Sequence, residues 1–389
     1  MKIYFLSPFC MLRPTTNRIF DVRLCDALAA KGAEVKLVYP FYEMKENVQA
    51  GELGRVYDLK SSLQFRMVNT PLREESNRYY QSLLLIWIFL VQLIKIAGAE
   101  RKNGRTVIMS RDHKVLLPAV ILRKLAPGLF PFQIIVNVHE VKKSRLSHWL
   151  YRNYDGIWAT TTAALTTLRD KMGIDGSKMQ SIQACVEPPA GLSKEEARKA
   201  IGYSSVKPLI VYTGKLGKGV KELDYLIEAA ACLPEYNFIF TGGKDDTIAY
   251  LKNSCRERNV HNIQFSGFIK EVSFVRYYQL AADVLVSYYT RKDHMVEYNL
   301  PQKLMEYMFS GNAIVTPDFP ASQPFINSET AALVNPDDVP SLVEGIAKVA
   351  GDKALNAALA RNAYEAIREF TFEKRADHLL QSLGKPGVK

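Results

Sequence analysis

Residues 209–232 read LIVYTGKLGKGVKELDYLIEAAAC, and this stretch joins a strand, a turn and a helix in the order that decides the fold. Its first five residues are mostly apolar and β-branched, which is typical of a buried strand. Three glycines and three lysines lie in the turn, and the residues after it place apolar side chains at helical spacing. A buried strand that leads through a glycine-rich turn into a helix is the repeating unit of a parallel α/β sheet.

The same alternation of strands and helices continues along the whole chain, so we predict an α/β protein with parallel sheets. The predicted strands are residues 2–7, 34–39, 106–110, 134–139 and 156–160 in the first half, and 209–213, 237–241, 263–266, 284–287, 313–316 and 331–333 in the second. The first crossover helix is predicted over residues 17–31. The densest turn signal, EPPAG at 187–191, separates the two sets and predicts a domain boundary there.

The composition is that of a globular protein, with 48% apolar and 23% charged residues, which excludes disorder, collagen and coiled coil. Lys and Arg number 51 against 40 Asp and Glu, and the net charge of +11 favours phosphates, anionic lipid or nucleic acid as partners. The five cysteines show no C-x-x-C spacing, so neither a disulfide framework nor a zinc site is predicted. We expect a cytoplasmic protein, because the opening MKIYFLSPF does not resemble a secretory signal.

Residues 83–94, LLLIWIFLVQLI, are apolar on all sides for about three helical turns. Gln92 and Lys95 interrupt the run before the ~20 residues that a membrane span needs. One interpretation is a buried domain helix. The other is a helix at the membrane surface, where flanking cations meet anionic headgroups and Trp87 and Phe89 enter the lipid.

The turn after residue 213 is suited to a diphosphate. Glycines at 214, 217 and 219 allow a close approach of the backbone, and Lys215, Lys218 and Lys221 supply positive charge. The spacing is neither that of a P-loop nor that of G-x-G-x-x-G. A solvated lysine turn is the alternative interpretation.

Residues 299–316, NLPQKLMEYMFSGNAIVT, predict a short helix that begins after Pro301 and ends at Gly311, followed by a buried strand. The N–H groups at Gln302 would form an anion site at the positive end of the helix. Glu306 lies about one and a half turns inside, where its carboxylate would accept hydrogen bonds from two vicinal hydroxyls. An exposed helix glutamate is the alternative.

Together these motifs resemble the retaining glycosyltransferases of family 4 (glycosyl transferases group 1), which have the GT-B fold. The resemblance covers most of the second half, including NIQFSGFI at 262–269 and AADVLVS at 281–287. In the first half IIVNVHE at 134–140 and DGIWATTT at 155–162 resemble the family in the correct order, and FTFEKRA at 370–376 resembles its terminal helix.

The resemblance implies two Rossmann-like domains facing a cleft. It implies an N-terminal acceptor-side domain over residues 1–188, onto which a C-terminal helix at about 373–389 packs back, and a C-terminal nucleotide-sugar-binding domain over 189–372. The family's usual outcome is retention at the anomeric carbon, with the acceptor hydroxyl entering on the face that the diphosphate leaves.

The resemblance also implies a role for each matching residue. The implied catalytic residues are His139, which meets the transferred hexose, the cations Lys215 and Lys221, and Glu297. The implied nucleotide-sugar-binding residues are Gly214, Lys218, Phe268, Ile269, Asn299, Leu300, Gln302 and Glu306. The implied acceptor residues are Arg13, Asn17, Arg18 and Glu140. Without the resemblance, His139 is equally well explained as a core histidine, and Arg13 and Arg18 as surface charges.

This chain departs from the family in two places. The family commonly has a second glutamate eight residues before the ribose glutamate, but here Tyr298 holds that place and Glu297 is adjacent. The loop after the first strand, CMLRPTTNR at 10–18, lacks the paired glycines of many members. The carboxylate near the sugar is therefore left open, and the loop is interpreted as an acceptor site.

The predicted function is transfer of a hexose-type sugar from a nucleotide diphosphate sugar, UDP ahead of GDP, to a saccharide or lipid-linked saccharide in envelope or exopolysaccharide synthesis. Fixed cations would stabilise the departing diphosphate, so no metal or other cofactor is expected. A cytoplasmic location, with peripheral attachment to an anionic membrane surface, fits this function. The alternatives are a nucleotide-sugar epimerase or hydrolase on the same scaffold and, more remotely, a nucleic-acid-binding protein, although no recognition motif for nucleic acid is present.

Overall fold

Two parallel β-sheets form the frame of the protein, and each belongs to its own unit. The structure is a computed structural model that describes residues 1–42, 48–71, 77–100, 105–181, 185–187, 191–217, 221–292, 301–319, 322 and 325–384. The first unit comprises Met1–Ala184 with Phe372–Lys389, and the second comprises Cys185–Thr371.

The first unit contains a seven-stranded sheet in the order β3-β2-β1-β4-β5-β6-β7, in which every paired neighbour is parallel. The strands are β1 (Lys2–Leu6), β2 (Glu34–Pro40), β3 (Gln64–Val68), β4 (Thr106–Ser110), β5 (Gln133–Val138), β6 (Gly156–Ala159) and β7 (Met179–Ser181). β1, β4 and β5 are buried almost throughout, as expected for central parallel strands that are covered on both faces.

Helices connect these strands. They are α1 (Thr16–Ala30), α2 (Leu53–Val56), α3 (Arg78–Glu100), α4 (His113–Leu125), α5 (Arg145–Asn153) and α6 (Thr162–Thr166), and α14 (Phe372–Gly384) returns to the same unit. The order of the strands and the right-handed crossover rule place α3, α4 and α5 on one face of the sheet. α3 packs on α4, α4 packs on α5, and α14 packs against α1.

The second unit contains a six-stranded parallel sheet in the order β10-β9-β8-β11-β12-β13. The strands are β8 (Leu209–Thr213), β9 (Asn237–Thr241), β10 (Ile263–Gly267), β11 (Val284–Val286), β12 (Ala313–Pro317) and β13 (Ala332–Val334). The helices are α7 (Lys194–Ala200), α8 (Lys221–Cys232), α9 (Asp245–Glu257), α10 (Val272–Ala281), α11 (Gln302–Ser310), α12 (Val339–Gly351) and α13 (Lys353–Ile367). The order of this sheet reverses at β8, and the carboxyl ends of β8 and β11 flank that reversal.

The predicted fold class is confirmed, and every predicted strand is present within one or two residues of its expected ends. Two strands were missed. β3 reads QFRMV and is largely exposed, and β7 has only three residues, MQS. Both lie at sheet edges, where burial on both faces no longer imposes a continuous apolar run.

The apolar segment 83–94 lies within α3, which extends for 23 residues. One side of this helix joins the core of the first unit through Leu85, Ile88, Phe89, Leu93 and Ile96. Phe89 has no exposed surface, so the interpretation in which this side chain enters lipid is wrong for Phe89. The segment is apolar on all sides because the other side of α3 carries exposed apolar residues as well.

Candidate functional site

The glycine-rich turn begins where β8 ends. Gly214 has a φ of +153°, in the region that favours glycine, and its N–H donates to the carbonyl of Thr241 at 3.1 Å. A Cβ atom at this position would lie 3.0 Å from the ammonium nitrogen of Lys303. The backbone at residue 214 therefore adjoins a lysine side chain from another element, α11.

A second glycine, Gly242, contacts the turn from the end of the neighbouring strand. Gly242 follows β9 with a φ of +124°, and its N–H donates to the carbonyl of Gly267 at 3.0 Å. A Cβ atom on Gly242 would lie 2.1 Å from the carbonyl oxygen of Gly214, a distance that no side chain tolerates. The loops after β8 and β9 are therefore in backbone contact, and Gly242 is a residue that the sequence analysis missed.

The structure describes the backbone of two of the lysines that were predicted to bind diphosphate. Lys215 is exposed in the turn directly after Gly214, and Lys221 is the first residue of α8. Lys218 lies outside the described residues. The exposed Lys215 and the glycine beside it present positive charge at the carboxyl end of the buried strand β8, which is where open α/β sheets bind ligands.

The predicted short helix is α11, and its ends are as expected. Pro301 caps it with extended backbone angles, and Gly311 ends it at a φ of +73°. The side-chain amide of Gln302 donates to the carbonyl of Cys185 at 2.9 Å, which ties the start of the helix to the first segment of the second unit. The positive end of the helix dipole lies at Gln302 and Lys303.

Glu306 is held by a glutamine from α10. Gln279, which is buried, donates from Nε2 to Glu306 Oε2 at 3.0 Å and to Thr213 Oγ1 at 3.3 Å. Asn312 donates to the backbone carbonyl of Gln279 at 2.9 Å and so holds this glutamine in place. The carboxylate predicted to bind ribose is thereby linked to the end of β8, which also carries the glycine turn.

The next residue of the helix fastens α11 to the same strand end. The hydroxyl oxygen of Tyr307 accepts a hydrogen bond from the backbone N–H of Thr213 at 2.8 Å. Tyr307 has no exposed surface, and burial raises its pKa well above the ordinary range, so it stays neutral. Glu306 and Tyr307 therefore fix α11 relative to the turn through two adjacent side chains.

Lys303 is a site residue that the sequence analysis missed. Its ammonium lies 4.2 Å from the centroid of the Tyr212 ring and 5.0 Å from that of Tyr289, and it donates to Tyr212 Oη at 3.1 Å. Burial raises the pKa of Tyr289 to about 12, although the nearby Lys303 acts to lower it. The sequence signal that could have identified Lys303 was its position next to Gln302 at the start of α11. The aromatic contacts come from β8 and from the segment after β11, so the sequence alone did not show them.

The residues predicted to contact the base and the sugar are only partly described. Phe268 and Ile269 follow Gly267, which has a φ of +76° at the end of β10, and both are partly buried. The remaining predicted residues lie outside the described residues; they are Glu297, Asn299 and Leu300.

His139 follows β5 directly in the first unit. Its ring meets the ring of Phe20 edge to face, with centroids 4.7 Å apart. Nε2 is buried and has no hydrogen-bond partner among the described residues. Burial, together with the positive charges of Arg111 and Arg375, holds the pKa of His139 well below its usual range. The imidazole is therefore neutral, with a ring nitrogen that is unsatisfied at the carboxyl end of the sheet.

Two arginines surround this histidine. Arg375, from α14, is buried, donates to Asn137 Oδ1 at 3.0 Å and lies over the ring of Phe20 at 4.8 Å from its centroid. Arg111, which follows β4, lies 3.4 Å from a carboxylate oxygen of Asp21. Burial raises the pKa of Asp21 to about 6, against the opposing charge of Arg111. Neither arginine was predicted from the sequence, because both come from elements far from His139 in the chain.

The predicted acceptor residues lie in two places. Arg18 donates to the backbone carbonyl of Arg13 at 3.1 Å, and the carbonyl of the exposed Asn17 accepts from Arg111 at 3.2 Å. These three residues therefore form one cluster at the start of α1. Glu140 is exposed and pairs with Lys142 at 2.7 Å.

The groups near the turn suit an anion better than a metal ion. Within the described part of the chain, no three side chains of His, Cys, Asp and Glu are grouped as metal ligands would be. The polar groups at the carboxyl end of β8 are instead lysines, a helix start and the Gln279–Glu306 pair. The lysines and the helix start suit an anion, and the carboxylate of Glu306 suits hydroxyl groups on the same ligand.

Comparison with known proteins gives a family match over part of the chain and a set of similar folds. The family model of the Glycosyl transferases group 1 matches residues 207–352. No curated protein matches the chain. Sucrose-phosphate synthase from Thermosynechococcus elongatus has a TM-score of 0.71 at 19% identity, with 98% of each chain covered.

Two further solved structures extend this comparison. HepE from Anabaena in complex with UDP-glucose has a TM-score of 0.69 at 14% identity, covering 98% of this chain and 99% of that one. TarM from S. aureus, in a complex that includes UDP, has a TM-score of 0.67 at 10% identity, covering 99% and 100%. At such identities the likeness shows the fold, and it extends over both units.

Proposed function

We propose that this chain is a retaining glycosyltransferase that transfers a hexose-type sugar from a nucleotide diphosphate sugar to a saccharide or lipid-linked saccharide. Its fold is GT-B, and its residues 207–352 match the Glycosyl transferases group 1. The observation that carries the donor side of the proposal is the joining of α11 to the end of β8. Lys303 adjoins Gly214, and Gln279 links Glu306 to Thr213, the residue before that glycine.

The diphosphate of the donor would bind at the turn and the start of α11. Lys215 and Lys221 supply charge from the turn, and Lys303 supplies a cation that is held on two aromatic faces. The helix start at Gln302 adds its dipole. The carboxylate of Glu306, oriented by Gln279, would accept hydrogen bonds from the two ribose hydroxyls.

The reaction breaks the bond between the anomeric carbon and the diphosphate oxygen and forms a bond from that carbon to the acceptor oxygen. The electron pair of the broken bond goes to the diphosphate. The acceptor proton passes to the departing diphosphate oxygen, because the acceptor enters on the same face. Fixed cations stabilise this developing negative charge without reorganising, which is the usual source of rate enhancement in such a step.

His139 would act as a neutral hydrogen-bonding group toward the hexose. Its buried Nε2 is unsatisfied, and an unmade hydrogen bond of this kind is costly unless a ligand supplies the partner. Burial, together with the charges of Arg111 and Arg375, lowers the pKa of His139 and keeps the ring neutral. Arg13, Asn17 and Arg18 form the acceptor site in this proposal.

We propose UDP ahead of GDP as the nucleotide, and envelope or exopolysaccharide synthesis as the setting. The UDP-glucose named for HepE and the UDP named for TarM support the choice of nucleotide. The lysine turn supports catalysis without a metal, in a protein that works at the cytoplasmic side of a membrane. An epimerase or a hydrolase on the same scaffold would convert a nucleotide sugar without any acceptor.

The test is mass-spectrometric turnover of a panel of UDP- and GDP-sugars, with and without saccharide and lipid-linked acceptors. A glycosylated acceptor with the anomeric configuration of the donor, together with released nucleotide diphosphate, is the expected product. Turnover that is equal with and without acceptor would identify a hydrolase or an epimerase instead. Activity that EDTA abolishes and magnesium restores would contradict catalysis by the lysines alone.

A further inference from the structure

The exposed large apolar residues of the first unit are concentrated on one layer of helices. On α3 the exposed fraction is 84% for Tyr79, 70% for Leu83 and 61% for Trp87. These three residues follow one another at a spacing of four, so they form one stripe along the helix. The opposite side of α3 is in the core, so the stripe points away from the sheet.

The neighbouring helices of the same layer also carry exposed apolar residues. Leu125, at the end of α4, is 78% exposed, and Leu146 and Trp149 on α5 are 53% and 37% exposed. α3 packs on α4 and α4 packs on α5, so these side chains lie on adjacent helices of the same layer. We call the surface formed by Tyr79, Leu83, Trp87, Leu125, Leu146 and Trp149 the apolar face. Isolated exposed apolar residues are ordinary, but six of them on adjacent helices of one layer mark an interaction surface.

One hydrogen bond and one cation–π contact tie the three helices together at this surface. Lys114 of α4 donates to Ser82 Oγ of α3 at 2.8 Å. The ammonium of Lys124 on α4 lies 5.5 Å from the centroid of the Trp149 ring on α5. The apolar face is therefore a preformed surface of the fold rather than the side of one isolated helix.

Positive charge predominates in the same layer of helices. α3, α4 and α5 together contain seven Lys and Arg residues and a single carboxylate, Glu100. That carboxylate is buried, where it accepts a hydrogen bond from Tyr4 Oη at 2.6 Å and pairs with Lys2 at 3.0 Å, so it contributes little to the outer surface. Just before α5, Lys143 adds exposed positive charge, whereas Lys142 is paired with Glu140 at 2.7 Å.

We propose that the apolar face docks onto a membrane surface that contains anionic lipid. Apolar and tryptophan side chains flanked by cations are the pattern that holds a protein in the headgroup layer. The helices would lie flat on that layer, because one side of α3 belongs to the core of the unit. A protein partner rich in carboxylates would match the charge, but it would not require two exposed tryptophans in the same layer of helices.

The proposal goes beyond sugar transfer and does not depend on the donor site. It extends the segment 83–94 to a surface that also includes α4 and α5, and it replaces the buried Phe89 with Leu83 as a contact. Membrane binding and nucleotide binding are therefore separate measurements, and failure of one leaves the other standing.

The test is sedimentation of the full chain with vesicles of phosphatidylcholine alone and of phosphatidylcholine mixed with phosphatidylglycerol. The wild type should bind the mixed vesicles, and its binding should weaken in ~1 M salt, where the Debye length is only about 3 Å. The variant Leu83→Ser/Trp87→Ser should bind about tenfold more weakly or worse. Tyr250→Ser is the matched control, since Tyr250 is an exposed aromatic residue of the second unit.

A charge variant keeps the test decisive if the serine variant does not fold. Lys124→Glu/Arg145→Glu changes two exposed residues, and it should weaken binding by about fivefold or more for each charge removed. The thermal unfolding midpoint of each variant reports whether it folds. Circular dichroism of the unbound variants should match the wild type.

Three outcomes would overturn the proposal. The first is a wild type that sediments with neither kind of vesicle, or equally with both at every salt concentration. The second is a folded serine or charge variant that binds mixed vesicles as tightly as the wild type. The third is a lipid-free dimer that becomes monomeric in the serine variant, which would assign the apolar face to a second copy of the chain.

Discussion

The ammonium of Lys303 lies 4.2 Å from the centroid of the Tyr212 ring and also donates to the hydroxyl of that residue at 3.1 Å. One tyrosine on β8 therefore holds the cation through both its ring and its oxygen. The cation adjoins Gly214, at the place where the proposed diphosphate would bind. A lysine that is already oriented loses less side-chain entropy when it meets an anion than a mobile surface lysine does.

Replacement of Lys303 by methionine should lower turnover by ~100-fold, because a cation opposite the leaving diphosphate is lost. Lys303→Arg should recover part of the activity. Steady-state kinetics with the identified donor would measure both effects. Lys252→Met on the exposed side of α9 is the control, and wild-type turnover in Lys303→Met would remove Lys303 from the donor site.

Lys215→Ala and Lys221→Ala should each lower turnover by ~100-fold or more if both lysines face the diphosphate in the transition state. The effect should be mainly on kcat, because the charge on the leaving group is greatest as the bond breaks. Lys244→Ala, an exposed lysine that caps α9, serves for comparison. Unchanged kinetics in both turn variants would disprove the assignment of this turn.

Glu306→Gln should weaken nucleotide binding about tenfold or more, because an amide cannot accept both ribose hydrogen bonds. Gln279→Leu should produce part of the same loss, since Gln279 donates to Glu306 at 3.0 Å. Isothermal titration with UDP would measure both constants. The two changes should be less than additive in the double variant, because the residues share one hydrogen bond, and full additivity would show that they act separately.

His139 should remain neutral as the pH falls through ~6.5, where an ordinary histidine takes up a proton. Burial and the charges of Arg111 and Arg375 lower its pKa in the folded protein, so the unfolded chain binds more protons in that range. His139 therefore destabilises the fold as the pH falls below ~6.5 and has no such effect above it. NMR titration of the imidazole, assigned with His139→Gln, would test this, and an ordinary titration near pH 6.5 would refute it. Arg375→Met should raise the pKa.

Arg375→Ala should lower the free energy of unfolding by about 2–4 kcal/mol, because it leaves the buried side-chain oxygen of Asn137 without its partner and removes the side chain that packs over the Phe20 ring. Lys374→Ala, one residue earlier and exposed, should change stability by less than about 0.5 kcal/mol. Urea denaturation of both variants would give the comparison. Equal stability of the two would mean that Arg375 does not hold α14 in place.

Much of the donor side could be predicted from local sequence. The buried strand at 209–213, the turn at Gly214 and the helix between Pro301 and Gly311 are all set by short-range properties: β-branched runs, glycine at a positive φ, and capping residues. The edge strand β3 could not be predicted in this way, because its exposed side chains carry no apolar signal.

The side-chain partners were decided by the tertiary structure. Lys303 meets a tyrosine 91 residues away, and Gln279 joins Thr213 to Glu306 across separations of 66 and 27 residues. Arg375 reaches Asn137 over 238 residues. Propensity and periodicity report only on neighbours within a few turns, so local sequence is enough to specify the strands, the turn and the helix start. Which side chains meet at the ends of parallel strands depends on how the strands are ordered in the sheet, and that order is a property of the packed fold.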